Sequence, residues 1–315
     1  MPATTTFAGV SARGEGFAHL LTLVFSGTPS TFTASTMPSS SNWYGVTYGN
    51  GYYVAVANGT TAGAYSTDGI TWTASTMPSS STWYSVTYGN GYFVAVVDGA
   101  KANAYSTNGT TWTASTMPSA SNWRSVTYGN GYFVATAYVQ SAGAYSTNGT
   151  TWTASTMPSS SGWESVTYGN GYFVVVALGP TTAGAYSTNG TTWTASTMPS
   201  SHPWSGVTYG NGYFVAVAEN TTAGAYSTDG ITWTASTMPS SASWFGVTYG
   251  NGYFVAVATS TTAGAYSTNG TTWTASTMPS ASNWRSVTYG NGYFVAVQGS
   301  GTTAGAYFAF TKSYV

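Results

Sequence analysis

The sequence contains no cysteine, and its 315 residues include few charged side chains and only two histidines. Without thiols the chain forms no disulfide and no zinc–thiolate site, and thiol catalysis is excluded as well. Charged residues make up 3% of the chain, whereas ordinary globular domains carry about a quarter. The net charge of −1 provides no basic footprint for nucleic acid. No apolar run reaches the roughly 18 residues of a membrane-spanning helix, so membrane insertion is not expected.

What the chain does contain is apolar and small polar side chains. Hydrophobic residues account for 42% of the sequence and aromatic residues for 17%, which is enough for a large core. The surface must then be built mostly from Ser, Thr, Asn, Gly and Tyr. Such a surface is neutral and rich in hydrogen-bonding groups, so it suits neutral partners, of which glycans are the obvious candidates.

A unit of about 40 residues is repeated along nearly the whole chain. A Met-Pro dipeptide marks each copy, at steps of 40 or 41 residues. In the first copy four β-type runs are expected as strands A to D. They are Trp43–Tyr48, Tyr52–Ala57, Gly63–Ser66 and Ile70–Ser75. The Met residues of the seven copies are Met37, Met77, Met117, Met157, Met198, Met238 and Met278.

The turn residues agree with this division. Asn50-Gly51 predicts a type I′ hairpin between A and B, because both residues tolerate positive φ. Asp68-Gly69 marks the turn between C and D, and Pro78 is expected to end strand D because proline cannot donate to a ladder. Strand B is almost continuously apolar, as in a strand covered on both faces.

Seven copies of four short strands predict an all-β fold, a seven-bladed β-propeller of four-stranded antiparallel blades. Solenoids and a β-prism remain as alternatives. The segment Thr22–Ser35 aligns with strands C and D of the first copy, and Phe25 and Phe32 fall on its Tyr and Trp positions. The last copy lacks a D strand. The N-terminal segment is therefore expected to pair with the last blade and close the ring, with 2+2 and 3+1 closure both open.

The box Ser66-Thr67-Asp68-Gly69-Ile70-Thr71-Trp72 resembles the Asp-box of BNR-type propellers in bacterial surface proteins and phage tail or virion proteins. Physically the box is a turn, in which the Asx side chain accepts from backbone amides, Gly is left-handed and Trp packs between blades. Asn serves this role as well as Asp, so no metal ion and no cofactor are expected. Asn replaces Asp in four boxes, at Asn108, Asn148, Asn189 and Asn269.

Some Asp-box families are sialidases, and that resemblance implies three converging arginines, a Tyr–Glu nucleophile pair and an acidic Asp. The three arginines here are Arg13, in the N-terminal tail, and Arg124 and Arg285, which occupy one slot in two distant blades; they are predicted not to converge. The protein is therefore predicted not to be an enzyme. The acids outside the boxes are expected on the solvated surface: Glu15, Asp98, Glu164 and Glu219. The two histidines, His19 and His202, lie in different contexts and leave no material for a triad.

The seven copies differ from one another at two places, the D–A connection with the residue after the first Trp, and the B–C loop. In an antiparallel blade both connections emerge on one face of the disc, and the constant A–B and C–D turns emerge on the other. This pattern predicts a recognition face, with drift of tolerant loops as the alternative. The candidate ligand-binding residues are Tyr44, Tyr84, Arg124, Glu164, His202, Phe245, Arg285, Asn58, Lys101, Tyr138, Gln140 and Glu219.

These observations favour a non-catalytic propeller that recognises surface glycans or a host receptor, as a tail-fibre or receptor-binding component of a phage virion. The alternatives are a structural decoration protein of a capsid or filament, and a secreted bacterial lectin-like adhesin. Residues 1–21 are expected to form a tail that docks onto other virion proteins, and residues 22–315 the propeller. The expected location is the virion surface, or the extracellular space for an adhesin.

Overall fold

The computed structural model describes residues 4–6, 22–138 and 140–314, which form strands joined by turns. In these ranges there is no helix that could cross a membrane. The first strands are β1 (Thr4–Thr6), β2 (Thr22–Ser26), β3 (Thr33–Gly49), β4 (Tyr52–Asn58), β5 (Thr60–Ser66), β6 (Thr73–Ser81), β7 (Trp83–Gly89), β8 (Tyr92–Val97), β9 (Ala100–Ser106), β10 (Thr113–Ser121), β11 (Trp123–Gly129), β12 (Tyr132–Ala137), β13 (Gln140–Ser146) and β14 (Thr153–Gly169). The remaining strands are β15 (Tyr172–Leu178), β16 (Thr181–Ser187), β17 (Thr194–His202), β18 (Trp204–Gly210), β19 (Tyr213–Ala218), β20 (Thr221–Ser227), β21 (Thr234–Gly250), β22 (Tyr253–Thr259), β23 (Thr261–Ser267), β24 (Thr274–Ser282), β25 (Trp284–Gly290), β26 (Tyr293–Gln298), β27 (Thr302–Ala309) and β28 (Thr311–Tyr314).

Each repeat folds into one antiparallel blade with the strand order A-B-C-D. In the first blade these strands are the second half of β3, then β4, β5 and β6. Asn50 and Gly51 have φ values of 47° and 80° in the A–B turn, which confirms the predicted type I′ hairpin. Three strands, β3, β14 and β21, continue without a break from strand D of one blade into strand A of the next.

The core lies between blades rather than within one. Val54 and Val56 of strand B in the first blade pack against Trp83 and Phe93 of the second blade, and all four are fully buried. A cluster of similar composition occupies each of the seven interfaces between neighbouring blades. Strand B is covered on both faces, as its continuous apolar run predicts.

The ring closes in the 3+1 manner. Strand β27 supplies strand C of the last blade, and the first half of β3 pairs with it as strand D, with Ala34 opposite Ala306. Phe32 is buried at the position that Trp72 holds in the first blade, as the alignment predicts. The prediction that Thr22–Ser26 forms a second C strand is wrong. Because β27 already occupies that place, β2 pairs with β28 instead, and β1 pairs with β2.

Strand D differs from its predicted limits. It covers Thr73–Ser81 in the first blade rather than Ile70–Ser75, and it continues through Met77 and Pro78 instead of ending there. The ladder between strands C and D pairs Ala62 with Thr76 and resumes only at Ser81. Pro78 lies in the unpaired stretch of an outer strand, so its missing N–H breaks no ladder hydrogen bond.

The box from Ser66 to Trp72 forms the predicted turn. The amides of Ile70 and Thr71 each donate to Oδ1 of Asp68 at 2.8 Å, and Gly69 has a φ of 73°. Asn108 accepts from the corresponding amides of its own blade at 3.0 and 2.9 Å. The carboxylate of Asp68 and the side-chain amide of Asn108 therefore accept equivalent hydrogen bonds in this turn.

Replacing Asp68 tests this equivalence. We expect Asp68→Asn to change the free energy of unfolding by less than about 0.5 kcal/mol at neutral pH. We expect Asp68→Ala to lower it by about 1 kcal/mol, because the amides of Ile70 and Thr71 lose their acceptor. Burial opposes ionisation of Asp68, but the amides of Thr71 and Ile70 outweigh it and lower its pKa below 3.8. The stability gained from this carboxylate is therefore present above pH 3.8 and lost as the pH falls through the folded-state pKa. Denaturant titrations at neutral and acidic pH should show a larger loss in the wild type than in Asp68→Asn, which retains the equivalent carboxylate of Asp229.

Candidate functional site

A β-bulge at the start of strand A determines where the most variable side chain of each repeat points. In the first blade Trp43 pairs with Ala57 and Gly45 with Val56, so Tyr44 is the extra residue. The same irregularity follows the first Trp of every blade. A bulge turns one side chain away from the regular alternation of the strand. The seven extra residues are Tyr44, Tyr84, Arg124, Glu164, Ser205, Phe245 and Arg285.

All seven bulge residues line one cavity at the axis of the propeller. Its volume is about 130 Å³, and strand A of each blade also contributes the one or two residues after the bulge to its wall. Four of those wall residues are serines that accept hydrogen bonds across blades. The Oγ atoms of Ser85, Ser125, Ser165 and Ser286 accept from a valine amide of the following blade at 3.1–3.3 Å. The serines that follow the bulge therefore join neighbouring blades, and the variable bulge residues face the cavity.

Arg124 is held in a network of charged and hydroxyl groups. Its Nη2 lies 3.0 Å from Oδ2 of Asp98, and its Nη1 donates to the hydroxyl of Tyr84 at 2.8 Å. That hydroxyl donates in turn to Oε1 of Glu164 at 2.6 Å. The guanidinium also stacks on the rings of Tyr84 and Tyr138, with distances of 4.4 and 4.8 Å to their centroids.

Burial shifts the pKa of two members of this network. It raises the pKa of Glu164 above its usual 4.5, although the charge of Arg124 and the Tyr84 hydrogen bond lower it. It raises the pKa of Tyr84 well above its usual 10, and the charge of Glu164 adds to this. For Arg124, burial opposes the charged form, but Tyr84, Glu164 and Asp98 outweigh it and raise the pKa. Arg124 is therefore a permanent cation, and Tyr84 stays protonated.

Arg285 occupies the same repeat position as Arg124 with different neighbours. Its guanidinium lies between the rings of Tyr44 and Phe245, 4.4 and 4.8 Å from their centroids. The ion pairs found among the described residues both involve Arg124. Nε of Arg285 is buried and has no hydrogen-bond partner within that part of the chain.

Two predictions about these residues are wrong. Arg124 and Arg285 line the same cavity, because residues in one slot of a closed ring converge on its axis however far apart they lie in the chain. Glu164 is 3% exposed rather than solvated, and Asp98 is ion-paired rather than free on the surface. Arg13, Glu15 and His19 lie outside the described residues.

The B–C loops lie beside the D–A connections, on one face of the disc. The amides of Asp98, Tyr138 and Glu219 donate to backbone carbonyls of the preceding connection at 2.8–3.0 Å. Six of the predicted site residues line the cavity: Tyr44, Tyr84, Arg124, Glu164, Phe245 and Arg285. The ring of Tyr138 contacts the guanidinium of Arg124. Glu219 interacts electrostatically with Arg285. Asn58, Lys101, Gln140 and His202 do not line the cavity, and His202 hydrogen-bonds Ser200.

Sequence reasoning missed Asp98 and Ser205 as site residues. Ser205 is the bulge residue of the fifth blade and lies in the cavity wall with the other six. Asp98 directly follows strand B, at the position of Tyr138 and Glu219 in later blades. The signal that identifies both is their position in the repeat rather than their residue type.

Solved structures with the same fold include a virginiamycin B lyase from Staphylococcus aureus, which aligns with a TM-score of 0.78 at 13% identity over 88% of this chain and 98% of that chain. A catalytically inactive histidine-to-alanine variant of that lyase, with Quinupristin, aligns at 0.77 and 13% over 88% and 99%. YCF48 bound to D1 peptide aligns at 0.71 and 14% over 90% and 96%. At this identity the likeness confirms the propeller fold alone. No family model matches the sequence, and no curated protein matches it.

Proposed function

We propose that this protein is a non-catalytic recognition propeller that binds surface glycans through the face carrying the B–C loops and D–A connections, as a component of a phage virion. The observation that carries the proposal is that the seven bulge residues line one cavity. Seven equivalent positions of a nearly invariant scaffold present five types of side chain to one cavity, whereas the turns of the opposite face repeat almost unchanged. The Asp-box resemblance supports the virion setting, since repeats of that kind occur in phage tail proteins.

The chemistry of the face suits a neutral polar ligand. Aromatic side chains such as Tyr44, Tyr138 and Phe245 offer rigid apolar surface, and the serines and asparagines of the loops offer hydrogen bonds. Rigid aromatics combined with small hydrogen-bonding residues are typical of adaptable recognition surfaces. Concave sites with a few convergent polar groups are also the usual form of small-ligand sites.

Glycoside hydrolysis is the second candidate, because the cavity is lined by a Tyr84–Glu164 pair and two arginines, which interact with the further carboxylates of Asp98 and Glu219. The network argues against it. The Tyr84 hydroxyl is engaged by both Arg124 and Glu164, and its raised pKa makes it a poor nucleophile. Arg124 is engaged by Asp98, Glu164 and Tyr84 rather than open to a substrate. We expect no release of fluorophore from 4-methylumbelliferyl glycosides, neutral or acidic; turnover that is lost in Glu164→Gln would establish an enzyme instead.

The lyase comparison does not transfer to this site. The inactive variant of that lyase lacks a histidine. No histidine occurs among the described residues that line the cavity here, and His202 lies at the end of β17 with Ser200.

A glycan array with the full chain tests the proposal. We expect binding to a limited set of surface glycans, and weaker binding after substitutions at the cavity or the B–C loops than after Asn130→Asp, which alters an A–B turn on the opposite face. If no glycan binds while the protein incorporates tightly into virions, the protein is a decoration protein and the proposal is wrong.

A further inference from the structure

The two cavity arginines form an internal comparison. Arg124 has carboxylate and hydroxyl partners contributed by two other blades, from Asp98 and Tyr84 of the second blade and Glu164 of the fourth. Arg285 has two aromatic rings as its contacts, and no hydrogen bond or ion pair to it is found within the described residues. Guanidinium donors that are held in place and left without acceptors are available to a ligand.

Glu164 lines the same cavity and carries a buried acceptor atom without a hydrogen bond. The Glu164 side chain is 1% exposed, and its Oε2 atom makes no hydrogen bond within the described chain; the nearest cation, Nη1 of Arg124, is 3.8 Å away. Oε1 is already engaged by Tyr84. Glu164 and Arg285 interact electrostatically across the cavity without forming an ion pair. A buried polar atom without a partner is costly, so a ligand that donates to Oε2 is favoured.

The charge around the cavity selects against an anionic ligand. The cations are Arg124 and Arg285, and the acids are Asp98, Glu164 and Glu219, which interacts with both Glu164 and Arg285. Three acids against two cations leave no net positive charge that would bind the carboxylate of an acidic ligand. A hydroxyl group accepts from arginine and donates to a carboxylate at once, and it adds no charge.

We propose that the central cavity is a subsite for one uncharged sugar residue, which inserts a pair of neighbouring hydroxyls between Arg285 and Glu164. This inference rests on the proposed function and places its ligand. Arg285 donates to one hydroxyl oxygen, and the other hydroxyl donates to Oε2 of Glu164. The rings of Tyr44 and Phe245 hold the guanidinium in position from both sides.

Saturation-transfer NMR on the full chain tests this subsite with the methyl glycosides of glucose, galactose, mannose and N-acetylglucosamine, and with methyl glucuronide as the acidic counterpart of the glucoside. We expect a neutral glycoside to bind and the glucuronide to bind more weakly. Arg285→Gln should weaken the neutral glycoside at least about tenfold, because charge-assisted hydrogen bonds are lost. Asn130→Asp changes the net charge by the same one unit in an A–B turn on the opposite face, and it should leave binding unchanged. Circular dichroism and thermal unfolding establish that both variants are folded.

The outcomes separate this inference from the proposed function. If Arg285→Gln binds glycosides as tightly as the wild type does, the cavity is not the subsite, although recognition by the outer loops still stands. Tighter binding of the glucuronide, lost in Arg285→Gln, would overturn the choice of a neutral ligand. If neither free glycosides nor any arrayed glycan binds the wild type, the proposed function fails as well.

Discussion

Replacing Arg124 with glutamine should lower the free energy of unfolding by about 2–3 kcal/mol at neutral pH. Removing one partner of a buried ion pair typically costs about 3–5 kcal/mol, because the other charge stays buried without compensation. The loss is smaller here because Arg124 is 20% exposed and because Glu164, whose pKa is already raised, can take up a proton. Guanidinium denaturation of the purified variants measures the difference.

The matched control for this substitution is Arg285→Gln. It removes the same side chain from the same repeat position, where stacking on Tyr44 and Phe245 is worth about 1 kcal/mol and no carboxylate is left unpaired. In the double variant Arg124→Gln/Glu164→Gln the buried charge is gone, so we expect most of the lost stability to return. Equal effects of the two single substitutions would contradict the ion-pair explanation.

The same network predicts an unusual pH dependence. The pKa of Glu164 is higher in the folded protein than its usual 4.5, so the folded state binds this proton more tightly than the unfolded state does. Stability therefore falls as the pH rises from the unfolded-state pKa through the folded-state pKa. Loss of Arg124 raises the folded-state pKa further, so the deficit of Arg124→Gln should be small near about pH 4 and grow towards neutral pH.

Deleting residues 1–41 should unfold the ring or cost at least about 5 kcal/mol. The deletion removes strand D of the last blade and with it Phe32 and Met37, which are 2% and 1% exposed. Burial of a Phe and a Met side chain is worth about 3–5 and 2–5 kcal/mol respectively. The deletion also exposes β27 as a free edge, which favours aggregation. Thermal unfolding and size-exclusion chromatography measure both effects.

A circular permutant provides the control. Strands β2 and β28 pair with Leu23 opposite Tyr314, so a short Gly-Ser linker can join residue 314 to residue 22. New ends at Thr82 then fall between β6 and β7, and the last blade becomes continuous in sequence. We expect this permutant to be monomeric and to unfold cooperatively. A deletion variant as stable as the wild type would contradict the role of this strand in closure.

The blade scaffold was predictable from local sequence. The Asn50-Gly51 turn, the apolar strand B and the box at Asp68 each depend on neighbours within a few residues, and the same signals occur in every copy. Strand D was misplaced because Ile70 belongs to the box turn, and because Pro78 lies where strand D has no ladder partner. Local signals of this kind say which residues are extended but not which of them are paired.

The sequence by itself determined the seven blades, their turns and the position of Phe32, because each follows from propensity and from a repeat that must bury its faces between copies. Only the tertiary structure decided what the variable residues do. A bulge after each Trp turns one side chain towards the axis, and closure brings Tyr84, Arg124 and Glu164 together although they lie 40 residues or more apart in the chain. No alternation of polar and apolar residues marks that bulge in the sequence, and the burial of Glu164 depends on three blades at once. The near-perfect repeat therefore specifies the propeller, and closure of the ring brings the residues that differ between copies together in one cavity.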